Sequence, residues 1–302
     1  MSELLWGIDL GGTKIEGVIL DPSRPEAAVH RLRRETQAPK GYDFILAQIE
    51  GVVRDLESVS GLVCPPRLGV GTPGAMEPST GALKNSNTTC LNGRPLKGDL
   101  ECRLTREIFM ANDANCFALA EATLGAAVGD QVVMGLILGT GVGGGIVING
   151  QVLQGAHGIA GEWGHNPLMG ETHPCYCGRK GCVETAIAGP SLERFYQETA
   201  GARLRVPDIV RAAADGEAHA LTTLDRLRWK FAEAIAAVIN ILDPDAIVIG
   251  GGVGNVEILY TEETRRVIER FLFHPTLSTR LLRPQLGDSA GVFGAAMLTN
   301  AR

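Results

Sequence analysis

Apolar residues along this chain gather in short runs that end on glycine. Leu4–Leu10 is the first run, Gly11-Gly12-Thr13 breaks it, and Ile15–Leu20 follows until the turn signal Asp21-Pro22. Run, loop and run predict a β-hairpin. Between Tyr42 and Ser58 the period changes: Ile45, Ile49, Val52 and Leu56 recur at helical spacing and predict an amphipathic helix. Leu68–Val70 reads as a strand leading into Gly71-Thr72-Pro73-Gly74. Ile108–Ala111 reads as another, halted at Asn112-Asp113 before a helical stretch, Ala114 to Leu124. Later, Leu224, Leu227, Phe231, Ile235, Val238 and Leu242 mark a long core-facing helix stopped by Asp243-Pro244. Ala246–Ile249 is a buried strand opening into Gly250-Gly251-Gly252, and Val292–Leu298 predicts a short closing helix.

The opening pattern recurs. Gly7-Ile8-Asp9-Leu10-Gly11 aligns with Gly135-Leu136-Ile137-Leu138-Gly139, an offset of 135 − 7 = 128 residues. At the same offset Gly17-Val18-Ile19-Leu20-Asp21 meets Gly145-Ile146-Val147-Ile148-Asn149. Two strand–loop–strand units, one in each half, predict a duplicated domain.

Three glycine turns emerge from apolar strands: Gly11–Thr13, Gly139–Gly145 and Gly250–Gly254. Without side chains in the way, backbone N–H groups in such turns can converge on an anion. Gly139-x-Gly141-x-x-Gly144 matches the dinucleotide fingerprint, which requires a helix next. Here Gly145-Ile146-Val147-Ile148 follows and ends at Asn149-Gly150, a hairpin signal, so that reading fails on context. No GxxxxGK[ST] string exists either.

Asp9 ends a buried run at the first glycine loop. A carboxylate there is costly unless it is paired or close to a metal ion, so it reads as a Mg²⁺-organising group for ATP, with Lys14 meeting phosphate charge. Asp113, between a strand and a helix, is either an N-cap or a base accepting the proton of an attacking hydroxyl. The two roles are compatible.

Bulk numbers narrow the field. At 302 residues, two lobes are expected. A formal charge of −6 without a Lys/Arg block argues against binding nucleic acid. No apolar run reaches bilayer length, and Met1-Ser2-Glu3 lacks the basic start of a signal peptide. Four of the seven cysteines are scattered, while Cys175, Cys177 and Cys182 cluster. That pattern predicts a metal site in a cytoplasmic protein rather than a disulfide framework. Three thiolates with one histidine make a closed structural zinc site, for which spacing leaves both His165 and His173 open.

Together these motifs resemble the ROK family of bacterial sugar kinases. The resemblance rests on Asp9-x-Gly-Gly-Thr-Lys14, Asn112-Asp113, Gly139-Thr140-Gly141-Val142-Gly143-Gly144-Gly145, Glu162-Trp163-Gly164-His165 and Cys175-x-Cys177-Gly-x-x-Gly-Cys182-x-Glu184. They run through nearly the whole chain in family order. The resemblance implies an α/β, two-lobed actin/hexokinase-like ATPase fold, a duplicated ribonuclease H-like domain with a zinc-bound loop, and ATP and sugar held between the lobes. Residues 1–112 with 288–302 would form the smaller lobe and 113–287 the larger.

The resemblance makes Asp113 the general base. Gly74, Asn87, Asn112, Asp113, Glu162, His165 and Glu184 match sugar-binding positions. Asp9, Gly11, Gly12, Thr13 and Lys14, the Gly139–Gly145 loop (including Thr140 and Val142) and Gly250, Gly251 and Gly252 match nucleotide positions. His165 would complete the zinc site with Cys175, Cys177 and Cys182. The implied partners are ATP with Mg²⁺, a sugar and a second copy of the chain.

The stretches Asn85–Gly93, Glu162–Leu168 and Cys175-Tyr176-Cys177 look most like fructokinases with mannokinase activity. Phosphorylation of fructose or mannose at the 6-hydroxyl is therefore the first expectation. N-acetylglucosamine kinase is the alternative, carried by Asn112–Leu119 and Leu136–Val142, with glucokinase beside it. ROK proteins also include sugar-responsive repressors, but a first strand beginning by Leu4 leaves no room ahead of it for a helix-turn-helix, and a sugar-binding module without catalysis would not need Asp9, Lys14 and Asp113 together.

Overall fold

The computed structural model describes residues 4–24 and 28–300. In chain order, the first elements are β1 (Leu5–Leu10), β2 (Lys14–Leu20), β3 (Ala28–Glu35), α1 (Tyr42–Ser60), β4 (Arg67–Thr72) and the short hairpin β5 (Ala75–Met76) and β6 (Leu83–Lys84). Then come α2 (Leu96–Leu104), β7 (Glu107–Asn112) and α3 (Asp113–Thr123). The second half holds β8 (Val132–Leu138), β9 (Val142–Ile148), β10 (Gln151–Val152), α4 (Val183–Ile187), α5 (Gly189–Ala200), α6 (Val206–Ala214) and α7 (Ala218–Leu242). After them follow β11 (Ala246–Gly250), α8 (Glu262–Glu269), β12 (Arg280–Leu282) and α9 (Ala290–Met297).

Two five-stranded sheets carry these elements, in the orders β3-β2-β1-β4-β7 and β10-β9-β8-β11-β12. In the first, β1 and β2 form an antiparallel hairpin, while β1–β4 and β4–β7 are parallel. In the second, β9–β10 is antiparallel and β8–β11 and β11–β12 are parallel. Shifting β2 by 128 residues gives the bounds of β9. Sequence repeat and sheet order thus agree strand by strand, as a duplicated domain requires.

By compactness the chain divides into Met1–Gly129, Gly145–Ala160 and Gln285–Arg302 as one unit, and Asp130–Gly144 with Gly161–Pro284 as the other. Each has its own core. In the first, Ile45, Ile49, Val52 and Leu56 of α1 are fully buried against Trp6, Ile8 and Ile19. Each such side chain contributes about 1.5–3 kcal/mol on removal from water. In the second, Leu227, Phe231 and Ile235 of α7 bury against Leu136, Leu138, Ile247 and Ile249. Glu217 caps α7, accepting from His219 N at 3.0 Å and Ala220 N at 2.6 Å. Asp243, in the left-handed region at φ 47°, closes it. Among the described residues no helix is long and apolar enough to cross a membrane.

Not all the glycine serves loops. A Cβ on Gly69 would run into the Ala295 carbonyl of α9, and one on Gly294 into the Cys116 carbonyl of α3. These glycines let α9, built of Ala-Gly-Val-Phe-Gly-Ala-Ala-Met, lie directly on β4 and α3.

Candidate active site

In the first unit the candidate side chains stand at the carboxyl ends of the parallel strands, where open α/β sheets bind their ligands. Asp9 lies near the end of β1, Thr72 at the end of β4, and Asn112-Asp113 at the junction of β7 and α3. Asn112, not Asp113, is the N-cap of α3: its Oδ1 accepts from Asn115 N at 2.8 Å. Asp113 is the first helical residue and accepts from Ala114 N at 2.8 Å. With the cap supplied next door, the Asp113 carboxylate is aimed without having to serve as the stop signal.

Surrounding protein solvates the Asp113 carboxylate poorly and raises its pKa, against the pull of the N–H groups of Ala114 and its own backbone. Asp9 is pushed up to about 6 by burial, by the neighbouring Asp113 and by Glu16, with Lys14 opposing. Two poorly solvated carboxylates, one raising the pKa of the other, suit a cation, and Gly291, whose absent Cβ would stand 3.0 Å from Asp9 Oδ2, leaves one oxygen uncrowded.

The first glycine loop is braced rather than loose. Gly11 N donates to Lys14 O at 2.9 Å, Thr36 N to Thr13 O at 2.9 Å, and Thr36 Oγ1 to Gly11 O at 2.7 Å. Gly12 and Thr13 are left exposed at its tip. The Asn87 and Thr88 side chains border Gly12. Thr72 Oγ1 donates to Gly74 O at 2.8 Å, fixing the Gly74 turn beside the end of β7. Lys14 Nζ sits 3.4 Å from Glu16, a buried carboxylate that also takes Arg31 and, at 2.7 Å, Arg33. Sequence reading missed Glu16. Its signal was Glu16 directly opposite Arg33, with Arg31 two residues further along β3, visible only once β3 is known to pair with β2.

In the second unit the other two glycine loops meet each other. Val253 N donates to Leu138 O at 2.9 Å, and Gly251, at φ 84°, has no room for a Cβ against Leu138. Gly139 N donates to Gly141 O and Gly189 N to Gly139 O, at 2.9 and 2.8 Å. As expected, a strand and not a helix follows the loop. Asn149 and Gly150 turn β9 into β10 at φ 51° and 74°. Glu184 of α4 reaches this loop, accepting from Val142 N at 2.9 Å. Glu162 opens the short turn Trp163–His165, and Gly164 packs that turn on the Val142 carbonyl. The segment with Glu162 and His165 and the loop Gly139–Val142 therefore share one wall.

His165, Cys175, Cys177 and Cys182 come together with their ligand atoms within 4.8 Å of one another. Cys177 Sγ to Cys182 Sγ is 3.6 Å, and Cys175 Sγ to His165 Nδ1 is 3.5 Å. Ligands on one tetrahedral ion at about 2.3 Å stand roughly 3.8 Å apart, so the chemistry and spacing of the donor set fit zinc with shifts of about an ångström or less. Gly178 and Gly181, at φ 87° and 71°, turn the loop, and a Cβ on Gly181 would strike Glu171 O. Hydrogen bonds from Arg179 bring the Cys177 thiol down to about 6. Burial, with hydrogen bonds from the neighbouring thiols, lifts Cys182 to about 12. His173 stays outside the cluster and accepts from Gly181 N at 2.9 Å through its carbonyl. One further side chain enters here: Tyr176 Oη lies 3.0 Å from His165 Nε2, its ring edge-on to the imidazole.

Twin sheets with carboxylates at the edge of one and paired glycine loops at the edge of the other define an actin/hexokinase-like α/β protein. The ROK family model matches residues 5–302. The chain is 35% identical over 305 residues to an N-acetyl-D-glucosamine kinase of Photobacterium profundum, covering 98% of this chain and 99% of that one. The crystal structure of a ROK hexokinase from Thermus thermophilus matches with a TM-score of 0.87 at 30% identity, over 98% and 97% of the two chains. A ROK family glucokinase from Streptomyces griseus, solved with glucose and AMPPNP, matches with a TM-score of 0.76 at 27% identity, over 98% and 99%. The chain belongs to the ROK family.

Proposed function

We propose that the protein is an ATP-dependent sugar kinase that phosphorylates a hexose at its 6-hydroxyl. The observation that carries this reading is Asp113, a carboxylate of raised pKa at the carboxyl edge of the first sheet, beside Asp9 and the braced glycine loop. Phosphoryl transfer asks of the protein a base, a positioned phosphate chain and charge stabilisation. Asp113 accepts the proton of the 6-hydroxyl as its oxygen attacks the γ-phosphorus, and ADP leaves. A base whose pKa is raised towards neutrality takes that proton more readily than an ordinary carboxylate.

Asp9 would hold Mg²⁺, which when bound would supply positive charge against the charge developing on the transferred group. N–H groups of Gly11, Gly12 and Thr13, with Lys14, bind phosphate, and those of Gly139–Gly145 and Gly250–Gly252 bind nucleotide. Gly74, Asn87, Asn112, Glu162, His165 and Glu184 bind sugar hydroxyls. Zinc on His165, Cys175, Cys177 and Cys182 fixes the loop that carries His165.

The acceptor is where relatives and motifs diverge. Several relatives at 33–35% identity, aligned over nearly their whole length, are N-acetyl-D-glucosamine kinases, which favours that sugar over fructose or mannose. A difference of one small group on a sugar shifts preference by about 1–3 kcal/mol, so fructokinase-like stretches of sequence do not outweigh full-length similarity. The test is kcat/KM with Mg-ATP for N-acetylglucosamine, glucose, mannose and fructose. N-acetylglucosamine should lead by tenfold or more; a lead for fructose would restore the first expectation, and no turnover of any of them would refute the kinase reading.

A further inference from the structure

Tyr176 stands between two of the clustered cysteines and is 81% exposed, so its ring is not there to fill a core. Yet the side chain is not idle. Its Oη lies 3.0 Å from His165 Nε2, and the two rings meet edge to face with centroids 5.1 Å apart. Cys175 Sγ sits 3.5 Å from the other ring nitrogen, Nδ1. With Nδ1 turned to a metal, the imidazole proton resides on Nε2, which must donate. The phenol oxygen then accepts, and it does so in the field of Glu162 and Glu184. A donor imidazole with carboxylates close by is the environment a sugar hydroxyl requires, since a hydroxyl both accepts and donates.

We propose that Tyr176 is a specificity-determining residue whose phenol occupies, in the sugar-free protein, the hydroxyl position on His165 Nε2 and gives it up when a sugar binds. This rests on the reading of His165 as a sugar ligand. The phenol keeps the Nε2–H paired while the pocket is empty and sets a threshold that an incoming hydroxyl must exceed. A sugar lacking a hydroxyl at that position cannot displace it, so the tyrosine sharpens selection at that carbon.

The test is Tyr176→Phe in the zinc-loaded protein, which keeps the ring and removes only the oxygen. Losing the competing hydrogen bond should tighten calorimetric sugar binding roughly three- to tenfold and lower the sugar KM by the same factor. Neither kcat, the KM for ATP nor zinc content should change. Sugar binding should also give a tyrosine ultraviolet difference signal in the wild type that the variant lacks. Equal or weaker sugar binding in the variant would overturn the proposal. So would loss of zinc from it, because the phenol would then be orienting a metal ligand rather than reserving a sugar position. A wild type that neither binds nor phosphorylates any hexose would overturn the underlying reading and this one with it, an outcome visible before the variant is made.

Discussion

The two glycine hairpins share strand order and the 128-residue offset, but they are armed differently. At matched positions the first carries Asp9, Lys14 and Glu16, and the second carries Ile137, Val142 and Gly144. The first hairpin supplies its own charge and tethers it: Lys14 to Glu16, and Glu16 to Arg31 and Arg33. The second has no charge in those positions and borrows a carboxylate, Glu184, from α4. One fold element was thus fitted to two tasks by changing which residues stand on it, with the backbone plan left alone. If the contrast is functional, damage to the first hairpin's neighbourhood should stop chemistry, while damage to the second should weaken binding.

The largest effect is expected at Asp113. Asp113→Asn keeps the size of the side chain and the helix cap at Asn112, and removes the base. We expect kcat to fall by about a thousandfold or more, within the range for losing a general base, with nucleotide affinity nearly unchanged. Steady-state kinetics with calorimetric ATP binding separate the two. Near-normal kcat would mean that the first sheet does not hold the base.

Glu184→Gln should act differently. The carboxylate accepts from Val142 N, and hydrogen bonds involving a charged group are worth about 1.5–3 kcal/mol. Neutralising it should raise the sugar KM and the ATP KM together, each by roughly tenfold, with a smaller loss in kcat. A rise in the sugar KM alone would show that the link to the Gly139–Val142 loop carries no binding energy, and would dissolve the distinction between a self-armed and a supported hairpin.

Much of this contrast could be read from sequence. Both hairpins, α1, the strand ends and the clustered cysteines announce themselves through strong local patterns. What stayed hidden depends on partners distant in the chain. β3 was missed because its residues alternate between partly buried and exposed, with none in the core, so it lacks the apolar run that marks a strand. Without β3, the Arg31–Glu16–Arg33 cluster has no address. Glu184 and Val142 are 42 residues apart, and only the packing of α4 brings them together. Sequence reading offered Asp113 as the cap, but its neighbour Asn112 is an equally good cap residue, and the helix geometry gives the cap to Asn112. Likewise, spacing left His165 and His173 both open as the fourth ligand, and the fold brings His165 to the cysteines.

The smallest expected effect is on stability, and it isolates the one charge that distinguishes the hairpins most. Asp9 is pushed up to about 6 by burial and by neighbouring Asp113, from an ordinary value of 3.8, so folding favours its protonated form. Its contribution to stability is therefore fully present below about pH 4 and is lost as pH rises through about 6. At pH 7.5 the ligand-free protein holds an ionised Asp9 at a cost on the order of 1–3 kcal/mol. Asp9→Asn removes the ionisation at nearly constant shape. Urea denaturation should find the variant more stable than wild type at pH 7.5 by about that amount and nearly equal to it at pH 4, while kinase activity is lost. Ile137, at the matched position of the second hairpin, bears no such charge, so this pH dependence should belong to the first hairpin alone. A variant less stable than wild type at pH 7.5 would mean that the Asp9 carboxylate is already compensated in the ligand-free fold, and the first hairpin would then not be strained in readiness for a cation.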